Sequence, residues 1–401
     1  MISRSRIFAS PVLLIAASVS AFFIALEVML ALFWPHKVII QSYHEKYHPV
    51  IGWVNKQDVS GYFYLKRNIR FFRTHNGNGV RSLRETPYAK PAGVKRVLLL
   101  GDSFFWGYGV NDQDILSEVL QRMAGRGIDV INGAASGYGT DQELLWLVEE
   151  GMKYAPDLVV LGAFPLNDWD EISHSVNYGY PKPFFSLEEE KLVLHNVPVP
   201  DTRETRRKAF EEPETVLGKA KKFLRHHTHT YPFLAKRLNS IPVVRDFLLR
   251  AGLADEFTSA LPGIRQMTLD QKKIRPLFES LVMEMKNVSA EAGAGFLLVF
   301  IPEKETTPGA PLRYPGVTEE AAERNTAFSR YLAGFAAEKR IPLLDLLPII
   351  RERHGRGETL YTAGSYDHHW TPAGHRAAAE ALLAWLTANG YATSSLPHGL
   401  P

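Results

Sequence analysis

Val97-Leu98-Leu99-Leu100-Gly101-Asp102-Ser103 is the stretch on which the fold turns. Four apolar residues without a polar interruption read as a strand buried on both faces, as in a parallel sheet covered by helices on each side. The run stops at a glycine, a short acid and a hydroxyl. Ser103 therefore stands at the carboxyl end of a strand, where open α/β sheets hold their ligands. A lone serine hydroxyl is a weak nucleophile; it needs a base, a group to orient that base, and donors for an oxyanion.

Outward from this strand the pattern alternates. A helix is predicted over 112–124, a strand over 129–132, a helix over 142–154 and a strand over 158–161. Beyond a polar interlude at about 165–265 come a helix at 272–290, a strand at 296–301, a helix at 319–339, a strand at 342–346 and a helix at 372–389. Solid apolar strands separated by helices predict a doubly wound parallel sheet. The interlude holds apolar residues on either side of an acidic turn at 181–199, which predicts a small hairpin. Residues 35–92 mix aromatics with the turn sequence Asn76-Gly77-Asn78-Gly79 and read as a connecting region.

The apolar share of 45 % and charged share of 22 % are globular values. A net charge of +3 over 401 residues gives no nucleic-acid signal. With no cysteine, disulfides, thiolate catalysis and Cys-ligated zinc are excluded. The basic charge is concentrated in residues 201–250, which hold 12 Lys/Arg against 6 Asp/Glu. Two readings stand for that segment: an ordinary solvated helical face, or a helical insertion near anionic lipid headgroups.

The N-terminus carries Arg4 and Arg6 and no acid, and residues 7–34 are apolar but for Glu27 and a few serines. That length suffices for a tilted helix to cross a bilayer. Cleavage after the small residues Ser18-Val19-Ser20-Ala21 is the competing reading, although Phe22–Phe33 stays apolar beyond them. The leading arginines favour a cytoplasmic N-terminus with the bulk of the chain exported. Three regions are thus expected: an N-terminus and transmembrane anchor at 1–34, the connecting region at 35–92, and a domain at 93–401 with its insertion.

Four blocks carry the candidate chemistry. Gly101-Asp102-Ser103 is the first, Asn132-Gly133-Ala134-Ala135-Ser136-Gly137-Tyr138-Gly139 the second, Asn167-Asp168 the third, and Asp367-His368-His369-Trp370-Thr371-Pro372-Ala373-Gly374-His375 the fourth. Loops after successive strands of a doubly wound sheet meet along one edge, so the four can share a cleft. In these residues, and in their order, the chain resembles the SGNH (GDSL-type) hydrolases over roughly 95–170 and 340–390. The fold this resemblance implies is a flavodoxin-like three-layer α/β/α domain, placed here behind one N-terminal transmembrane helix. It implies Ser103 as nucleophile, His369 as base and Asp367 as its orienting acid. It implies oxyanion donors from the Ser103 N–H, the Gly137 N–H and the Asn167 side chain. Many members place the acid three residues before the histidine, where this chain has Tyr366. The Asp-X-His-Trp-Thr-Pro run resembles instead a membrane-associated subgroup acting on bacterial envelope polysaccharides, and it favours His369 over His368.

The expected function is an exported serine esterase on O-acyl groups of an envelope glycan or a lipid. It would sit in the bacterial inner membrane as a single-pass protein facing the periplasm, without cofactor or metal, and with polysaccharide-synthesis proteins as possible partners. O-acetyl transfer to a polysaccharide through the same triad is one alternative. A non-catalytic glycan-binding or assembly protein is the other. A Gly-X-Ser-X-Gly elbow is excluded because Phe105 stands where the second glycine belongs. Gly101, Gly107 and Gly109 do not have dinucleotide-fingerprint spacing. Asp102 and Asp168 are expected to make structural hydrogen bonds, and His375 to pack at a helix start. Trp106 and Tyr108 are left between pocket lining and core. Metal binding is the minor alternative both for His226, His227 and His229 and for Asp367, His368, His369 and His375.

Overall fold

The computed structural model describes residues 11–33, 44–64, 70–177, 180–202, 216–239, 241, 243–244, 247, 271–304, 319–362 and 368–392. By its internal contacts the chain falls into two units. Ser42–Phe63, Arg70–Thr202 and Pro262–Pro401 form one, and Met1–Gln41, Tyr64–Ile69 and Arg203–Leu261 the other.

The larger unit begins with two antiparallel pairs, β1 (Glu45–His48) with β2 (Gly52–Asn55) and β3 (Val59–Tyr64) with β4 (Arg70–His75). The central strands are β5 (Lys95–Leu100), β6 (Ile128–Asn132) and β7 (Leu158–Ala163). Next come a two-residue pair, β8 (Val176–Asn177) and β9 (Tyr180–Pro181), and the hairpin β10 (Phe184–Glu188) and β11 (Lys191–His195) that the acidic turn predicts. Strands β12 (Gly295–Phe300) and β13 (Leu343–Asp345) complete the sheet.

Five strands form that sheet in the order β6-β5-β7-β12-β13, every pair parallel. The chain enters at β5, steps to one side, then reverses past it to the other. This is the flavodoxin-like winding, with its topological switch between β5 and β7. The two-residue period of each strand feeds both faces. Leu98, Leu100, Val159, Leu161, Leu298 and Phe300 join a core with Leu144, Leu147, Leu277, Leu281, Leu332 and Phe335. The alternate residues Val97, Leu99, Val160, Leu297 and Val299 are buried as completely. On their side, helix Leu116–Ala124 packs on helix Pro372–Ala388.

Two predicted helices differ in detail. The one expected over 112–124 is a short turn, Asp112–Asp114, followed by helix Leu116–Ala124, with Ile115 extended between them. Asp112 is held away from a regular helix by a buried ion pair with Arg81. The one expected over 142–154 runs from Thr140 to Glu149, and a tight turn follows at Gly151–Tyr154.

The expected connecting region folds onto the sheet domain. Ile51, Trp53, Phe63, Phe71 and Val80 are buried, and the Tyr138 hydroxyl donates to the Trp53 carbonyl at 2.6 Å. Gln142 Nε2 donates to the Ile51 carbonyl at 2.8 Å. Residues 42–63 and 70–92 therefore share a unit with the sheet, whereas most of the polar interlude, 203–261, groups with the N-terminal helix. Apolar residues scattered among the turns of 44–63 and 70–92 thus have partners far along the chain.

The smaller unit holds helices Pro11–Phe33, Val216–His227 and Thr230–Asn239. Its first helix has a mean hydropathy of 2.3 over Leu13–Phe33 and is almost wholly exposed, long and apolar enough to cross a membrane.

Candidate active site

Ser103 opens a helical turn, Ser103–Trp106, directly after β5. Asp102 caps it, its Oδ1 accepting from the Phe104 N–H at 2.8 Å. Gly107 closes it at φ +94°, with its N–H on the Ser103 carbonyl. A Cβ at Gly107 would lie 2.3 Å from Ile115 Cγ2, so glycine is required there by conformation and by space. As the first residue of its turn, Ser103 has an N–H with no internal acceptor. Its side chain is buried.

The second block is stitched to the first. The Gly133 N–H donates to the Leu99 carbonyl at 2.9 Å and the Ala135 N–H to Gly101 at 3.2 Å. Asn132 Nδ2 donates to the Phe105 carbonyl at 3.0 Å. These bonds carry Gly137, at φ +75°, on a loop fixed to the end of β5. The third block follows β7, with Asn167 on the helical turn Pro165–Asp170. Asp168 ties that turn down by accepting from Thr140 Oγ1 at 2.7 Å and from the Phe164 N–H at 2.6 Å. The Asn167 side chain and Asp367 lie outside the described residues.

The fourth block delivers the imidazole. His369 Nε2 and Ser103 Oγ are 2.8 Å apart, joined across 266 residues of sequence. The His369 carbonyl accepts from the Thr362 N–H at 3.0 Å. Thr371 caps helix Pro372–Ala388, and Pro372 occupies its first turn. A Cβ at Gly374 would meet the Leu360 carbonyl at 2.3 Å and Trp370 Cβ at 2.8 Å, so only glycine lets the helix approach the segments at Leu360 and Trp370 this closely. The His369 ring lies between Phe104 and Tyr108, with centroids 5.2 and 4.4 Å away. His368 is exposed, whereas His369 is partly buried.

Residues 269–397 match the family model of the SGNH hydrolase-like domain of the acetyltransferase AlgX. Over those residues the chain is similar to an SGNH hydrolase-like domain. No curated protein sequence matches it significantly. Among solved structures, it is similar to a protein of the G-D-S-L lipolytic family from Desulfitobacterium hafniense DCB-2, at 12 % identity and a TM-score of 0.35, over 72 % of this chain and 98 % of that one. It is also similar to a catalytic mutant of Axe2, an acetylxylan esterase from Geobacillus stearothermophilus, at 14 % identity and a TM-score of 0.35, over 74 % of this chain and 95 % of that one. Likenesses this distant add nothing about activity.

Several residues of the larger unit take structural roles. Trp106 is fully buried and stacks on His44, so it belongs to the core. Its Nε1 donates to His75 Nε2 at 3.3 Å, which leaves His75 Nδ1 to donate to the Lys56 carbonyl at 3.1 Å. Burial holds His75 well below its ordinary pKa, in keeping with that neutral tautomer. His375 Nδ1 accepts from the Leu116 N–H at 3.2 Å, and burial pushes its pKa down to about 3. Among the described residues, no group of three or more His, Asp or Glu is placed to hold a metal ion. A cavity lined by Gly295, Phe296 and Trp385 lies at the amino ends of β7 and β12, across the sheet from Ser103.

Sequence reasoning missed two features of the larger unit. Arg81, from the region expected to be a connector, lies fully buried against the loop that follows Ser103. It donates to Asp112, to the carbonyls of Trp106, Gly107 and Val110, and to Phe72. Its only signal was its place after the Asn-Gly-Asn-Gly turn. The second is a buried layer of carboxyls, Asp102, Asp141, Glu143, Asp168 and Glu171, next to the three strand-end blocks. Lys182 neutralises Asp141. Burial and the neighbouring acids push Glu143, Asp168 and Glu171 well above the ordinary carboxyl range.

Proposed function

We propose that the chain is a membrane-anchored serine esterase of SGNH type. In this reading it removes O-acyl groups from an envelope glycan or a lipid on the periplasmic side of a bacterial inner membrane. One observation carries the chemistry: the 2.8 Å contact between Ser103 Oγ and His369 Nε2 at the carboxyl edge of a parallel sheet. Ser103 Oγ attacks the ester carbonyl carbon while His369 takes its proton. The ester C–O bond then breaks, and His369 returns the proton to the leaving alcohol. Water deacylates Ser103 by the same route in reverse. Asp367 is assigned to orient His369. The oxyanion is assigned to the N–H groups of Ser103 and Gly137 and to the Asn167 side chain, each donor worth about 3–4 kcal/mol in such sites.

The match to the AlgX acetyltransferase domain favours a second reading, in which a sugar hydroxyl replaces water and the acyl group is transferred. Both readings share the acyl-Ser103 intermediate. A fluorophosphonate probe tests that intermediate: the wild type is labelled and Ser103→Ala is not. Incubation with an acyl-ester donor and an oligosaccharide acceptor then separates the two, free acid marking hydrolysis and acylated sugar marking transfer. Labelling that persists in Ser103→Ala overturns both. A carboxyl-terminal alkaline-phosphatase fusion tests the placement, which requires an active fusion recovered with the membrane fraction.

A further inference from the structure

The helix Pro11–Phe33 carries a single charged residue, Glu27. Its Oε1 accepts from the backbone N–H of His229 at 2.6 Å, and its Oε2 from the N–H of Thr230 at 2.8 Å. Those N–H groups open helix Thr230–Asn239, whose first turn lacks internal acceptors for them and whose dipole favours a negative charge. Glu27 is thus a cap supplied by a different helix. Leu30, on the same face one turn on, is 2 % exposed. Leu14, Phe22, Ile24 and Leu32 around the rest of that helix are exposed. A narrow stripe of the apolar helix therefore holds the insertion, and its remaining circumference is bare.

The insertion shows a surface unsuited to water. Val216 is 87 % and Phe223 60 % exposed, and with Ala220 they fall at the spacing of one helical face. Val243 and Phe247, four residues apart, are 79 % and 66 % exposed. Among these apolar residues stand Lys219, Lys221, Lys222, Arg225 and Arg237 in the sequence. Exposed apolar side chains interleaved with lysine and arginine characterise a helix lying in a membrane interface. The anchor supplies the depth. Glu27 is six residues before Phe33, so about 9 Å along the helix axis, and a hydrocarbon core is about 30 Å thick. The capped helix start is thereby held close to one membrane surface.

We infer that helices Val216–His227 and Thr230–Asn239 lie in the interface of the leaflet where the anchor's carboxyl end emerges. The apolar face enters the acyl region, and the basic residues meet anionic headgroups. Charge complementarity and the Glu27 link to a spanning helix select a bilayer as the occupant. The inference rests on the reading of Pro11–Phe33 as a membrane-spanning anchor.

The chain has no cysteine, so single cysteines at Phe223 and Val19 can be labelled with an environment-sensitive fluorophore. Full-length protein in nanodiscs of mixed phosphatidylglycerol and phosphatidylcholine is then read with nitroxide lipids and with aqueous iodide. The label in Phe223→Cys is expected to be blue-shifted, quenched by shallow nitroxide lipid and shielded from iodide. In phosphatidylcholine discs, or at high salt, that blue shift should shrink; an equal shift everywhere overturns the headgroup assignment. The label in Val19→Cys reports the anchor through deep nitroxide lipid. If Val19 is quenched while Phe223 responds to iodide alone, the interfacial placement fails and the anchor stands. If Val19 is not quenched, both fail.

Discussion

Arg81 and Asp112 form an ion pair closed off from solvent, Nε to Oδ1 at 2.8 Å, with both side chains essentially unexposed. A guanidinium is stable in such a place because its remaining donors find carbonyls, here Trp106, Gly107, Val110 and Phe72. Those carbonyls belong mostly to the loop after Ser103, which also places Tyr108 against the His369 ring. The pair therefore links a segment outside the strand-end blocks to the geometry around His369.

Arg81→Met should cost about 3–5 kcal/mol of stability, since it leaves Asp112 buried and unpaired. The double variant Arg81→Met/Asp112→Leu should recover part of that loss. Arg81→Lys keeps the charge but not the fork, so it should lower turnover of an activated ester more than it lowers stability. Denaturant melts and p-nitrophenyl acetate kinetics on the same preparations check all three.

The two adjacent histidines should separate cleanly. His369→Ala should lose several kcal/mol of transition-state stabilisation, comparable to removing a triad base. His368→Ala, at an exposed position, should stay near wild type. Asp367→Asn should fall between, because it leaves a base but spoils its tautomer. Ser103→Ala should melt like the wild type yet show no turnover. A dead His368→Ala enzyme would move the base to that residue.

Gly374 supports the site from beneath. A methyl there would press on the Leu360 carbonyl and on Trp370 Cβ, next to His369. Gly374→Ala should therefore cost about 1–3 kcal/mol by overpacking. It should also reduce kcat by displacing the imidazole's neighbours, whereas Gly334→Ala, with open space around it inside helix Glu319–Lys339, should leave kcat unchanged and raise stability by about 1 kcal/mol.

Buried ionisable groups predict opposing slopes of stability with pH. His375, at a pKa of about 3 in the fold, binds fewer protons there than when unfolded. Stability should therefore fall as pH drops from about 6.5 toward 3. His375→Asn, which retains an acceptor for the Leu116 N–H, should flatten that limb. Glu143, Asp168 and Glu171 hold protons more tightly in the fold than in the unfolded chain. Their contribution is greatest at low pH and is lost as pH rises above about 4.3. Glu143→Gln should make stability less sensitive to alkaline pH. Thermal melts across the pH range distinguish the two variants, because each changes a different limb.

The sequence by itself determined the alternation of strands and helices and the positions of Ser103 and His369. Both are local facts: an apolar run such as 97–100 reads as a strand wherever it packs, and short runs of glycine, asparagine and proline mark the loops at its end. That Ser103 and His369 meet follows only once the sheet order β6-β5-β7-β12-β13 brings distant loops to one edge. Tertiary structure alone decided that residues 44–63 and 70–92 share a unit with the sheet, that Arg81 is buried, and that Glu27 caps helix Thr230–Asn239. A charged residue in isolation reads as solvent-facing. What reverses that reading is a set of carbonyls, N–H groups or a counterion supplied from tens to hundreds of residues away, and no local pattern records the partner.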